Sequence, residues 1–136
     1  MSDCIFCKIA SGQIPSGKVY EDDFVFAFLD ISPANKGHTL VVTKKHFETF
    51  TDIPDEIVEK LCVSAKKIAG SVVRAMNADG FNLLMNNKKV SGQIVPHAHF
   101  HIIPRFENDA HKIHWEHKKY SDGEMQVFAD KIKNFL

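Results

Sequence analysis

The chain has 136 residues, a length that fits one domain of the usual ~100–200 residues. With 44% hydrophobic residues it can build a core without a disulfide framework, and its three cysteines, an odd number, argue against a secreted disulfide scaffold. Seventeen basic residues balance seventeen acidic ones, so no net positive field draws in nucleic acid or an anionic membrane. No apolar run reaches ~18 residues and the N-terminus lacks a signal-peptide pattern, so a cytoplasmic location is expected.

Cys4 and Cys7 open the chain with the spacing of a redox motif or half of a zinc site; only three residues precede Cys4, too few for the strand a redox fold needs there. Residues 5–11 read as a short helix ended by Gly12, followed by a loop marked by Ile14, Pro15 and Gly17. Val19–Glu21 and Phe24–Leu29 read as two strands, with Asp22 and Asp23 turning a hairpin. Asp30 ends the second strand, and Ser32 to Gly37 form a loop. Thr39–Thr43, rich in β-branched residues, is a third strand, with His38 at its entrance and His46 past its exit. From Pro54 to Met76, Ile57, Leu61, Ala65, Ile68, Val72 and Met76 recur at spacings of three and four, an amphipathic helix. Asp52 is the expected N-cap, and Cys62 an expected buried filler beside the stripe. Phe81–Asn86 is a fourth strand. Ser121 to Glu124 resembles a capping box ahead of a final helix carrying Val127, Phe128, Ile132 and Phe135. The pattern predicts an α+β fold: a five-stranded antiparallel meander with one long inserted helix and a C-terminal helix.

Between the fourth strand and the polar tail lies the most informative stretch, Gly92 to Arg105. His97, His99 and His101 alternate there with Ala98, Phe100 and Ile102. On a strand, alternation sends the histidines to one face and the apolar set to the core. Same-side neighbours sit ~6.6 Å apart, so one phosphate or one metal can meet two imidazoles. Strict alternation sets aside a purely structural role, while spacing alone leaves a metal site and nucleophilic chemistry level. His111, His114 and His117 lie three apart among lysines and read as solvated surface.

The run His97-x-His99-x-His101 with Ile102, Ile103, Pro104 and Arg105 resembles the signature of the histidine triad (HIT) family of nucleotide-binding proteins. Gly92 and Gln93, Cys4 to Ile9, Phe28 to Ile31, Gly37 to Val42, Lys44 to His46 and Asn86 extend the likeness over residues 4–105. The resemblance implies one HIT domain over 1–136, with 106–136 as a C-terminal extension. It implies His99 as a nucleophile toward the α-phosphorus of a nucleotide, with His101 and His38 on either side of the phosphate. It also implies Asp30 on the ribose hydroxyls, Phe6, Ile9, Ile14, Phe28 and Ile31 around the base, and Asn86 and Gln93 as further substrate contacts. Cys4, Cys7, His46 and His97 would form a closed structural zinc site, as in many microbial relatives.

The function so implied is a Hint-like hydrolase of purine nucleoside phosphoramidates (AMP or GMP type), working through a nucleotidyl-histidine as a homodimer. Alternatives are a diadenosine polyphosphate hydrolase and a nucleotide-binding adaptor whose slow hydrolysis is incidental. A membrane role is not expected, and a nucleic-acid partner is disfavoured by the neutral charge. Two departures bear on the leaving group. Ile94 stands where the animal phosphoramidase branch has a small hydroxyl residue, and Trp115 with a following helix replaces that branch's tryptophan-ended tail.

Overall fold

The computed structural model describes residues 3–112 and 114–136. Its elements are α1 (Ile5–Ala10), β1 (Lys18–Glu21), β2 (Val25–Leu29), β3 (Thr39–Thr43), α2 (Asp55–Met76), β4 (Gly80–Leu84), β5 (His99–Arg105) and α3 (Glu124–Lys133), with 3-10 turns at Phe50–Asp52 and Lys89–Ser91. The α+β class and all five strands follow the sequence reading. Their order does not: the sheet runs β1-β2-β3-β5-β4, antiparallel at each pairing, and is therefore not a meander. The cause is α2. This 22-residue helix, ~33 Å long, carries the chain back along the sheet, so β4 runs parallel to β3 and cannot form a hairpin with it. The histidine strand β5 fills the slot, antiparallel to both.

Each face of the sheet has its own core. On one side Val25, Ala27, Val41, Ala98 and Ile102 pack against Leu61, Ile68, Ala69 and Val72 of α2. On the other, Phe26, Phe28, Leu40 and Val42 receive Phe6 and Ile9 of α1. Register places the triad: His99 lies opposite Val42 and His101 opposite Leu40, and directly paired residues share a face. The histidines thus point to the α1 side while Phe100 and Ile102 point to α2. His97 lies just ahead of the strand.

Several local expectations are corrected. Asp52 does not cap α2. Its carboxylate accepts from the Thr49 N–H (2.9 Å) and hydroxyl (2.7 Å), closing the 3-10 turn, and Pro54 stands at the N-cap of α2. Cys62 is exposed rather than buried, because it sits one position past Leu61, on the solvent side of the stripe. Gly123, at a positive φ, precedes α3; Glu124 supplies half of the expected box by accepting from the Ser121 N–H (3.1 Å). Val127, Phe128 and Ile132 are exposed on α3, and Phe135 lies exposed just past its end. At the other end of α2, Asn77 adopts a left-handed conformation, and the N–H groups of Asn77 and Ala78 bond back to Arg74 and Val73, a helix stop.

Candidate active site and metal centre

The short helix α1 brings two chemistries together. Phe6 and Ile9 anchor it to the sheet, with the Phe6 ring edge-on to His99 (centroids 4.9 Å) and to Phe28 (5.4 Å). That anchoring sets Cys4, at the helix N-cap, and Cys7 beside the loop after β3 and the turn before β5. Cys4, Cys7, His46 and His97 offer one ligand atom each within 4.8 Å of one another. The Sγ–Nδ1 separations are 3.4 Å (Cys4–His97), 3.5 Å (Cys7–His46) and 3.6 Å (Cys7–His97). A tetrahedral zinc with Zn–S near 2.3 Å and Zn–N near 2.05 Å has S–N edges of about 3.6 Å. The donor set therefore fits zinc in type, number and spacing. His97 is fully buried, and its Nε2–H donates to the Thr43 carbonyl (2.7 Å), which leaves the Nδ1 lone pair aimed at the sulfurs. Burial pushes the Cys7 thiol up to about 11, with the hydrogen bond and charge of Cys4 adding to it. A metal entering this site displaces protons.

Beyond His97 the chain turns into the cleft. His99 Nδ1 lies 2.6 Å from the His97 carbonyl. A carbonyl only accepts, so Nδ1 carries the proton and Nε2 holds the lone pair. His38 is fixed from the other end. The Ala34 N–H donates to its Nδ1 (3.1 Å), so its proton sits on Nε2, 2.9 Å from His101 Nδ1. His101 in turn carries its proton on Nε2. The four tautomers are thus set by backbone groups at three points. The same logic excludes a second metal at Asp30, His38 and His101, whose ligand atoms are also close: His38 Nε2 has a proton where a ligand needs a lone pair. Burial is the main reason that His38, His99 and His101 all titrate below the ordinary histidine range. His101, near two other histidines, falls to about 4. All three are neutral at pH 7.

The cleft holds about 450 Å³. Its wall contains Phe6, Ile9, Ile14, Phe28, Ile31, Asp30, Asn86, His99 and His101, together with Ile94. Asp30 Oδ1 accepts from the Ser32 N–H (2.8 Å) and Oδ2 lies 3.8 Å from His38 Nε2. Gly92, at φ +102°, lets the chain pass Asn86, where a Cβ would come to 3.4 Å of its amide nitrogen. Two expected contacts are elsewhere. Gln93 is buried behind the wall, donating to the Glu48 carbonyl (2.7 Å) and accepting from the Lys88 N–H (2.7 Å), so both ends of its amide serve the loop. His38 stands behind His101, not across the cleft from it.

Sequence reasoning missed Ile5, Leu40 and Val95 in the wall; as apolar residues beside core positions they carried no separate signal. It also missed Asp109, whose carboxylate holds Arg105 at 2.7 and 2.8 Å. Although exposed, His111 is tied to the Ala34 carbonyl, unlike the solvated residue expected.

Comparison with known proteins places the chain in a family. Residues 11–108 match the model of the HIT domain. The chain is 50% identical over 119 residues to an uncharacterized HIT-like protein of Methanocaldococcus jannaschii, covering 88% of this chain and 92% of that one. It is 45% identical over 102 residues to the adenosine 5'-monophosphoramidase of Saccharomyces cerevisiae, covering 75% of this chain and 62% of that one. A HIT family structure from Bacillus subtilis superposes with a TM-score of 0.93 at 42% identity, covering 98% of this chain and 97% of that one. A zinc-bound histidine triad family protein from Mycobacterium smegmatis does so with a TM-score of 0.77 at 31% identity, covering 99% of each. The chain belongs to the HIT family.

Proposed function

We propose that the protein is a zinc-containing hydrolase of purine nucleoside phosphoramidates that releases the nucleoside monophosphate through a nucleotidyl-His99 intermediate. The observation that carries this reading is the 2.6 Å bond from His99 Nδ1 to the His97 carbonyl, which presents a neutral, fixed lone pair in the wall of an apolar cleft. The base lies among Phe6, Ile9, Ile14, Phe28 and Ile31, and Asp30 Oδ2 accepts from the ribose hydroxyls.

His99 Nε2 attacks the α-phosphorus as the bond from phosphorus to the leaving amine breaks. The positive charge that develops on the imidazole is met by the His97 carbonyl at Nδ1–H. His101 donates its Nε2–H to a phosphoryl oxygen, and Asn86 reaches the same end of the substrate. The His38–His101 pair orients this donor and does not supply a net proton, because His38 Nδ1 faces a backbone N–H and has none to gain from it. The departing amine takes its proton from water. A second water then attacks phosphorus, its released proton neutralising the hydroxide left by the first step, as the P–Nε2 bond breaks and returns its electron pair to His99, which is again neutral. Zinc held by Cys4, Cys7, His46 and His97 would supply structural rigidity behind the nucleophile.

The named activity of the yeast relative supports this substrate class, and the zinc-bound relative supports the metal. A diadenosine polyphosphate is the weaker candidate. The cleft wall contains no lysine or arginine among the described residues, so nothing there neutralises the several charges of a polyphosphate leaving group. Exposed Phe81 and Leu83 on the edge strand β4 suit a homodimer contact. No described helix is long and apolar enough to cross a membrane. Side-by-side turnover of an adenosine phosphoramidate and diadenosine tetraphosphate tests the reading. Faster AMP release from the phosphoramidate is expected; preference for the dinucleotide would overturn the substrate class. Tight binding with no turnover would favour an adaptor.

A further inference from the structure

The loop that carries His38 is held from behind by residues that follow β5. Asn35 Nδ2 donates to the Pro104 carbonyl (2.8 Å) and to Asp109 Oδ2 (3.0 Å). Asp109 is itself immobilised: Arg105 donates from Nε (2.8 Å) and Nη2 (2.7 Å), and the N–H groups of Phe106 (3.0 Å) and His111 (3.2 Å) bond to the same carboxylate. Its side chain is only 9% exposed. One residue before Asn35, the Ala34 carbonyl accepts from His111 Nε2 while the Ala34 N–H donates to His38 Nδ1. Asp109 and His111 lie beyond the residues matched by the family model.

We infer that Asp109 is a positioning residue for the histidine pair, fixing through Asn35 and Ala34 which nitrogen of His38, and hence of His101, carries the proton. Without that anchor the Ala34 N–H drifts from His38 Nδ1, and His38 can take its proton there instead. Its Nε2 would then present a lone pair to His101 Nδ1, so His101 would protonate at Nδ1 and turn a bare Nε2 toward the cleft. A lone pair facing a phosphoryl oxygen repels it where a donor attracts it. The donors run one way from the Ala34 N–H through His38 to His101, and the loop that starts this run is tied down by the Asn35 bond to Asp109, itself held by Arg105. The consequence for catalysis rests on the hydrolytic reading above; the consequence for the tautomer does not.

The test is imidazole nitrogen NMR of the 15N-labelled zinc-loaded protein, with Asp109→Asn, Asp109→Ala and His111→Ala compared with wild type. Wild-type His38 should show an unprotonated Nδ1 and a protonated Nε2. Both resonances should move toward each other in the Asp109 variants, and to a smaller extent in His111→Ala, which alters only an exposed contact and keeps the test alive should Asp109→Ala fail to fold. His38 resonances unchanged in every folded variant would overturn the inference. Kinetics supply the second readout. For Asp109→Asn kcat should fall about tenfold with KM within about twofold. Asp109→Asn should cost nothing further in a His38→Ala background; losses that multiply instead would mean that Asp109 does not act through His38. A wild type inert toward phosphoramidates would remove the hydrolytic reading, and the NMR arm would still decide the positioning.

Discussion

If Cys4, Cys7, His46 and His97 hold zinc as proposed, removing it should loosen the fold and slow turnover together, because His97 belongs to both sites. His97 presents Nδ1 to Cys4 and Cys7 and its carbonyl to His99, the proposed nucleophile. Chelation leaves two thiols and two imidazoles facing one another around a fully buried ring. A ligand that binds only the folded state at 100 to 1,000 times its Kd stabilises by about 2.7–4.1 kcal/mol. For a 136-residue chain, an unfolding entropy of ~2.1 cal/mol/K per residue makes 1 kcal/mol worth about 3.5 °C. Dialysis against a chelator should therefore lower Tm by about 10–14 °C, with kcat falling in step. Cys7→Ser should already sit near the lower Tm and respond little to the chelator. Calorimetry with metal analysis checks this. A wild-type shift below about 2 °C, or an equal response from Cys7→Ser, would refute the assignment of these four residues to a metal.

Four further outcomes follow from the structure. Because burial depresses the His99 and His101 titrations, kcat/KM should stay flat from pH 8 to below 6.5, where an ordinary histidine would already be half protonated. Stability has no such plateau: below pH 6.5 the unfolded chain binds protons that native His38 and His101 refuse, so the unfolding free energy should decline from there toward about 4, where His101 titrates; a stability maximum near pH 5 would contradict this. Asp30→Asn should erase discrimination between a ribo- and a 2'-deoxyribo-phosphoramidate, a charged hydrogen bond being worth about 1.5–3 kcal/mol; discrimination left intact would remove Asp30 from the ribose. Gly37→Ala should cost about 1–3 kcal/mol in denaturant unfolding, since Gly37 has φ +95° and a Cβ there would come within 2.7 Å of Met76 Cγ; a neutral result would mean that the His38 loop is not constrained at that point.

The parts legible in the sequence were those fixed by local period and turn chemistry. Strand β3 matches its predicted bounds, and α2 starts one residue later than read, because its stripe and its Asn77 stop are local features. Strand order was not legible: alternation in β5 says which residues share a face, not which strand lies beside it. The triad announced its face but not its division of labour, which depends on where Thr43, Ala34 and the His97 carbonyl lie in space. Gln93 and His38 illustrate the limit. Both were placed near the substrate by their motifs, yet both spend their polar atoms on protein partners. Asp109 had no motif at all, since a lone acid in a polar tail looks like solvated surface until Arg105 and Asn35 are brought to it.

The central claim is that His99 carries the nucleotidyl group. Rapid acid quench of the protein with a phosphoramidate of 32P-labelled AMP, followed by peptide mapping at alkaline pH, tests it directly. One label per active site on the peptide containing His99, absent from His99→Ala, is the predicted result. Full turnover by His99→Ala, or label on any other residue, would contradict it.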